Sequence, residues 1–192
     1  MIKFNKLKFD TSFKETNTDH KNKIVFMFPG QGAQYMQMAK ALYDNEQAFK
    51  NTIDQCIALA NQYLDIDLYD VMYPEEASLH DDINETQWTQ IILFIIEYAL
   101  SKYVDYLGVK ADAYIGHSIG EYVAATLSGV FSLEDAIKIV IARGQLMQSM
   151  QPGSMLVINA KEEAIQSIVK KYNCEIAVIN SIEDIVASGS SE

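Results

Sequence analysis

Only Cys56 and Cys174 stand among the 192 residues, far apart and outside any metal-ligand spacing. That pairing argues for a reduced compartment and against a metal site. Long apolar runs are missing as well. The longest, residues 91–96, is interrupted by Glu97 and is too short to span a bilayer. Positive charge is scarce: 15 Lys and Arg face 26 Asp and Glu, a formal net charge of -11. Such a balance argues against a nucleic-acid partner and lends no support to an anionic membrane surface. The N-terminus is polar, with Lys3, Lys6 and Lys8 and no apolar core, so it does not read as a secretory signal. There is no internal repeat and no low-complexity tract. At 49% hydrophobic residues the chain can bury a substantial core, enough for one domain or one and part of another, and it reads as soluble and cytoplasmic.

What is there centres on Gly116-His117-Ser118-Ile119-Gly120-Glu121, preceded by the apolar Ala113-Tyr114-Ile115 and followed by Tyr122-Val123-Ala124-Ala125. The order is strand, Gly-x-Ser-x-Gly turn, small-residue helix. A sharp turn of this kind pushes its central side chain out at the end of a sheet, and Gly116 and Gly120 let neighbouring backbone approach. Ser118 then lies at a helix N-terminus, where free N–H groups stabilise negative charge on a bound carbonyl oxygen. This is the pattern of a nucleophile elbow; the plainer reading is a structural turn that happens to contain serine.

Elsewhere the chain alternates strands and helices. Residues 1–22 read as a linker or loosely attached arm. Ile24-Val25-Phe26-Met27-Phe28 reads as a strand buried on both faces, ending in the turn Pro29-Gly30-Gln31-Gly32-Ala33-Gln34, after which helical spacing begins. Two glycines at the C-terminal end of a strand are a common ligand position in an α/β sheet, although the spacing is not that of a phosphate-binding loop. Phe49, Ile53, Ile57 and Ala60 mark an amphipathic helix, residues 68–73 a helical turn, and residues 75–84 an acidic loop holding His80. Thr86 opens a long helix buried on most sides, which Gly108 closes. Residues 110–115 read as the strand into the elbow. Ser132 caps another helix that carries Arg143 on the stripe formed by Ile139, Leu146 and Met150, and a cation there needs a partner. After Pro152-Gly153 the pattern changes to β-α-β-β, the first part of a small α+β unit.

Four of these stretches, in this order, carry a resemblance: Phe28-Pro29-Gly30-Gln31-Gly32-Ala33-Gln34, then Thr86 with Thr89-Gln90, then Gly116-His117-Ser118-Ile119-Gly120-Glu121-Tyr122, then Ala142-Arg143-Gly144-Gln145-Leu146-Met147. From about Lys23 to the end the chain resembles the acyltransferase domain of polyketide and fatty-acid synthases and the free-standing malonyl-CoA:acyl-carrier-protein transacylase. Tyr98-Ala99-Leu100 and the run from Gly129 to Ala136 look closer to the polyketide synthase branch. The resemblance implies an α/β fold: an α/β-hydrolase-like large subdomain, partial here, with a parallel sheet and the nucleophile elbow, in residues 23–152. The start of a ferredoxin-like α+β small subdomain would follow in residues 153–192.

It also implies roles. Ser118 would take an acyl group from coenzyme A as an ester and pass it to the phosphopantetheine thiol of an acyl carrier protein. Backbone N–H groups of Gln31 and Ile119 would form the oxyanion hole. Arg143 would hold a malonyl carboxylate with a bidentate fork, Gln90 would line the same pocket, and His117 would flank the nucleophile. Malonyl-CoA and the carrier protein are the expected partners, alongside other synthase domains, with no permanently bound cofactor and no metal. Each role has a plainer competitor. Arg143 would simply pair with a neighbouring carboxylate, and Gln90 would be a helix-start residue without a ligand. His117 is adjacent to Ser118 along the chain, and a turn points adjacent side chains apart, so it reads as pocket wall rather than base.

A serine nucleophile needs a base, and the three histidines, His20, His80 and His117, are poorly placed to supply one. In the family the base is a histidine after the small subdomain, so this chain is expected to be a fragment covering roughly the first two-thirds of the domain. Two other readings stay open. One is a serine hydrolase of the lipase or esterase type, in which Arg143 has no task. The other is a non-catalytic acyltransferase-like module that scaffolds a synthase or binds a carrier protein.

Overall fold

A computed structural model describes residues 23–74 and 81–190. The N-terminal arm with His20, and His80 with most of the acidic loop, lie outside the described residues.

Strand β1 (Val25–Phe28) pairs in parallel with β2 (Ala113–Gly116), Val25 opposite Ala113 and Phe28 opposite Gly116. Parallel strands need a crossover, here supplied by helices α1 (Lys40–Asn45), α2 (Gln47–Ala60), α3 (Leu68–Met72), a 3-10 turn (Asp81–Asn84) and α4 (Thr86–Tyr106). The strand before the elbow is shorter than residues 110–115. Asp112 instead spends its backbone N–H on the carbonyl of Ile24, and its carboxylate accepts from the Ile24 N–H, both at 2.8 Å. Helical spacing after the glycine turn also starts late, because Gln37 and Ala39 adopt positive φ and delay α1 to Lys40.

α4 is the axis of the larger core. Ile91, Ile92, Leu93, Phe94, Ile95 and Ile96 are each at most 1% exposed, because α2, α5 (Ile119–Leu127) and α6 (Leu133–Gln148) all pack on this helix. Each such side chain contributes about 1.5–3 kcal/mol on burial, an upper estimate because the unfolded chain is not fully exposed. The helix ends as its sequence dictates. Gly108 takes φ 95°, and the N–H groups of Gly108 and Val109 return to the carbonyls of Asp105 and Val104. Gly129 closes α5 in the same way, and the Ser132 hydroxyl starts α6 by accepting from the Asp135 N–H at 3.1 Å.

The two-sided burial expected of β1 does not hold. Phe26 and Phe28 pack with Tyr114 against the core, but Val25 and Met27 are 50% and 76% exposed and Ile115 on β2 is 54% exposed. Among the described residues the helices cover only one face of this two-stranded pair. The stripe around Arg143 is likewise open, with Ile139, Leu146 and Met150 all exposed.

Beyond Pro152 the chain forms β3 (Gly153–Ile158), α7 (Glu162–Lys171), β4 (Glu175–Ser181) and β5 (Asp184–Ser190). These strands make an antiparallel sheet in the order β3-β5-β4. A small second core sets Ile165 and Val169 of α7 on Ile185. The whole is a mixed α/β fold.

Candidate active site

The parallel register sets the chemistry. Phe28 and Gly116 are partners at the C-terminal ends of β1 and β2, so the Pro29-Gly30 loop and the elbow leave the sheet side by side. The His117 N–H donates to the Phe28 carbonyl at 3.0 Å and ties the two loops together. A Cβ on Gly120 would stand 2.4 Å from the Phe28 oxygen, one on Gly116 would stand 2.1 Å from the Gly120 carbonyl carbon, and one on Gly30 would stand 2.7 Å from the His117 ring. A larger residue at Gly116 or Gly120 forces the turn apart, and one at Gly30 displaces the His117 ring.

Ser118 holds φ 53° and ψ -115°, a conformation that costs a non-glycine residue about 1–3 kcal/mol and persists only when its surroundings impose it. Its side chain is exposed and stands at the N-terminus of α5. Ile119, the first residue of that helix, is fully buried and anchors it, and a first-turn N–H has no partner within a helix. Gln31 lies in the loop facing the elbow, where its side-chain amide donates to the Thr86 hydroxyl at 3.4 Å.

Arg143 comes to the elbow from α6. One guanidinium nitrogen donates to Gln90 Oε1 at 2.5 Å and the other to Ser118 Oγ at 3.4 Å, with the guanidinium carbon 5.6 Å from the centre of the Tyr122 ring. Among the described residues no carboxylate pairs with Arg143. Gln90 is 1% exposed, and its amide N–H reaches only the weak acceptor Met147 Sδ at 3.1 Å. The fold thus brings Ser118, Arg143 and Gln90 together; Ile119 follows Ser118 at the start of α5, and Gln31 follows Gly30, which packs on His117 and Ser118. His117 is exposed against Gly30, and no hydrogen bond joins it to Ser118 among the described residues.

Sequence reasoning missed two parts of this arrangement. Tyr122, one turn beyond Ser118, supplies the aromatic face under Arg143. Gly144 lets α6 approach α4 until a Cβ there would meet the Gln87 carbonyl oxygen at 3.0 Å, which is how Arg143 reaches Gln90. A glycine inside a helical pattern was the available signal for that close crossing. Beside the site opens a groove of about 960 Å³, lined by Thr86, Met147, Gln148 and Met150 on one side and by Met155 and Lys170 on the other. Among the described residues no cluster of His, Cys, Asp and Glu could hold a metal ion, and no helix is long and apolar enough to cross a membrane.

A profile of the acyl transferase domain family matches residues 25–192. The chain belongs to that family. It is 40% identical over 171 residues to one of the subunits of the phenolphthiocerol/phthiocerol polyketide synthase of Mycobacterium tuberculosis (strain CDC 1551 / Oshkosh), a match covering 89% of this chain and 11% of that synthase polypeptide. Among solved structures it is similar to the acyl transferase domain of ZmaA, at a TM-score of 0.79 and 37% identity over 88% of this chain and 40% of that one. It is also similar to the malonyl CoA-acyl carrier protein transacylase of Clostridium perfringens, at a TM-score of 0.73 and 32% identity over 88% of this chain and 54% of that one. This acyltransferase chain therefore spans about a tenth of the synthase polypeptide and roughly half or less of the two solved relatives.

Proposed function

We propose that this chain carries the nucleophile, oxyanion hole and carboxylate clamp of an acyltransferase that moves a malonyl or related dicarboxylic acyl group from coenzyme A to the phosphopantetheine thiol of an acyl carrier protein. The observation that carries this reading is Arg143. It has no carboxylate partner among the described residues, lies beside a buried Gln90 and reaches Ser118 Oγ at 3.4 Å. A hydrolase of neutral esters would leave that cation without a task.

In the first half-reaction Ser118 Oγ attacks the thioester carbonyl carbon and gives its proton to a histidine from outside the described residues. Negative charge collects on the carbonyl oxygen, where the N–H groups of Gln31 and Ile119 meet it. Collapse forms the serine ester and breaks the carbon–sulfur bond, and coenzyme A leaves as the thiol with the transferred proton. The distal carboxylate lies on the Arg143 fork, which Gln90 orients and the Tyr122 face supports. In the second half-reaction the carrier thiol attacks the ester and regenerates the serine. The chemistry needs no permanently bound cofactor or metal. Residues 23–152 act as the first part of an α/β-hydrolase-like large subdomain and residues 153–192 as the start of a ferredoxin-like small one, working in the cytoplasm alongside other synthase domains.

The longest polypeptide encoded by the reading frame, incubated with malonyl-CoA, is expected to gain one malonyl mass on Ser118, and Ser118→Ala to gain none. Absence of the adduct refutes the covalent mechanism. Arg143→Ala is expected to slow malonyl loading about 100-fold, the scale of losing a charge-assisted bidentate contact, and acetyl loading far less. Equal losses for both refute the clamp.

A further inference from the structure

Besides the elbow, three segments carry the proposed machinery, and one residue links those three. Thr86 is the first residue of α4, the helix that bears Gln90. Its hydroxyl accepts from the Gln31 side-chain amide at 3.4 Å, and Gln31 sits in the loop beside the elbow. Its backbone N–H donates to Gln148 Oε1 at 2.9 Å, and Gln148 is the last residue of α6, the helix that bears Arg143. The residue before it, Glu85, stands at the N-cap without a side-chain capping bond. The first N–H of α4, which has no partner within its own helix, is satisfied instead by α6.

The glycine loop is tied to the same place a second time. Gln34 donates through its side-chain nitrogen to Asn84 Oδ1 at 3.3 Å and accepts the Gly32 N–H at 2.8 Å on its side-chain oxygen. Gly32 takes φ 113°, and nothing lies within 4 Å of where a Cβ on it would stand.

We propose that Thr86 is a positioning residue for acyl transfer: its hydroxyl latches the Gln31 loop, so that the Gln31 N–H stays aimed at the elbow, while its N–H fixes the end of the Arg143 helix. Thr86 does not touch the reacting atoms. The proposal rests on the acyl-transfer reading of Ser118. The oxyanion loop, packed on the elbow at Gly30, is held in addition from the start of α4 by the Thr86 hydroxyl.

The test compares Thr86→Val, which keeps the shape and loses the hydroxyl, with Thr86→Ser, which keeps the hydroxyl, in the longest polypeptide of the reading frame. Two readouts are taken: amide hydrogen exchange over residues 30–34, with residues 91–101 as an internal check on folding, and the single-turnover rate of malonyl-ester formation on Ser118. Thr86→Val is expected to speed exchange in residues 30–34 while residues 91–101 stay protected. It is expected to slow ester formation at saturating malonyl-CoA roughly fivefold, the scale of one hydrogen bond, with little change in the half-saturating concentration. Thr86→Ser is expected to restore both. Unchanged exchange in Thr86→Val overturns the latch. So does a Thr86→Ser that behaves like Thr86→Val, and faster exchange with an unaltered ester rate overturns the positioning role. A parent that never acylates overturns the acyl-transfer reading and the positioning role with it. In that case the exchange data still report whether the loop is latched, which separates the two failures.

Discussion

In residues 23–152 the apolar side chains of α4 vanish from solvent on nearly every side, whereas in residues 153–190 most of β3 stays open, with Met155, Leu156 and Val157 each more than 60% exposed. The cause is geometric. α4 is wrapped by α2, α5 and α6, so a continuous apolar run finds neighbours all round. The small sheet has one short helix, α7, which covers Ile185 with Ile158 and Ile176 beside it and leaves Leu156, on the same face as Ile158, uncovered. The strained Ser118 lies on the packed side of this division. A backbone conformation that costs energy is held only where its surroundings cannot relax, so the elbow belongs beside the larger core.

The contrast can be broken most severely at a glycine. A Cβ on Gly116 would lie 2.1 Å from the backbone of Gly120, inside the elbow, while one on Gly153 would lie 2.9 Å from the Gly189 carbonyl oxygen at the edge of the open sheet. Gly116→Ala is expected to destabilise the chain by at least about 3 kcal/mol and to abolish acylation of Ser118. Gly153→Ala is expected to cost less, about 1–2 kcal/mol, because the Gly189 carbonyl must shift but lies at the end of an open sheet with few neighbours. Urea unfolding of the two variants and the parent checks the difference, and equal costs would mean that the elbow is no more constrained than the sheet.

The same division explains what could be read from the residues alone. α2, α4 and the elbow are local features: a 3.6-residue period, a closing glycine, a glycine-serine-glycine turn. Each is enforced by side chains close in sequence. Exposure of β1 was not legible, because a continuous apolar run reads as burial on both faces whether or not anything covers the second one. The late start of α1 depends on positive φ at Gln37 and Ala39, which neither residue type announces. Of the site, the serine and its glycines were local. The meeting of Arg143 with Gln90, 53 residues away, and with Ser118, 25 residues away, follows from how α6 crosses α4 at Gly144, and no periodicity encodes that crossing.

The packed region also holds a flaw, which gives the next largest expected effect. Glu97 on α4 is 6% exposed, and neither carboxylate oxygen has a hydrogen-bond partner among the described residues. Burial alone pushes its pKa up to about 8. A carboxyl raised to about 8 by burial stays largely protonated in the core at neutral pH. The stability tied to that proton is fully present below the unfolded pKa, near 4.5, and is lost as pH rises through about 8. Stability of the parent should therefore fall by a few kcal/mol between about pH 5 and pH 9. Glu97→Gln, which cannot ionise, should flatten that slope and be the more stable of the two at pH 9. Urea midpoints at three pH values measure it, and parallel pH profiles for the two proteins would show that Glu97 reaches water.

The smallest expected effect lies in the open sheet. Val157 stands on the face of β3 opposite Ile158, and it is 63% exposed although it pairs with Val186 in the centre of the sheet. Val157→Thr keeps the branched shape a strand favours and adds one hydroxyl, which on an exposed face meets water. The change should cost less than about 0.5 kcal/mol. Ile185→Ala, two strand positions from the alanine at 187 and fully buried under α7, should cost about 2–4 kcal/mol in the same sheet. Both are read from urea unfolding of this chain, with its self-association followed by light scattering, since an uncovered apolar strand face is an association hazard that Val157→Thr should reduce. A Val157→Thr cost above about 1 kcal/mol would mean that this face of β3 is packed after all. The difference between the two regions would then lie in how many helices each sheet has, rather than in how much apolar surface each leaves open.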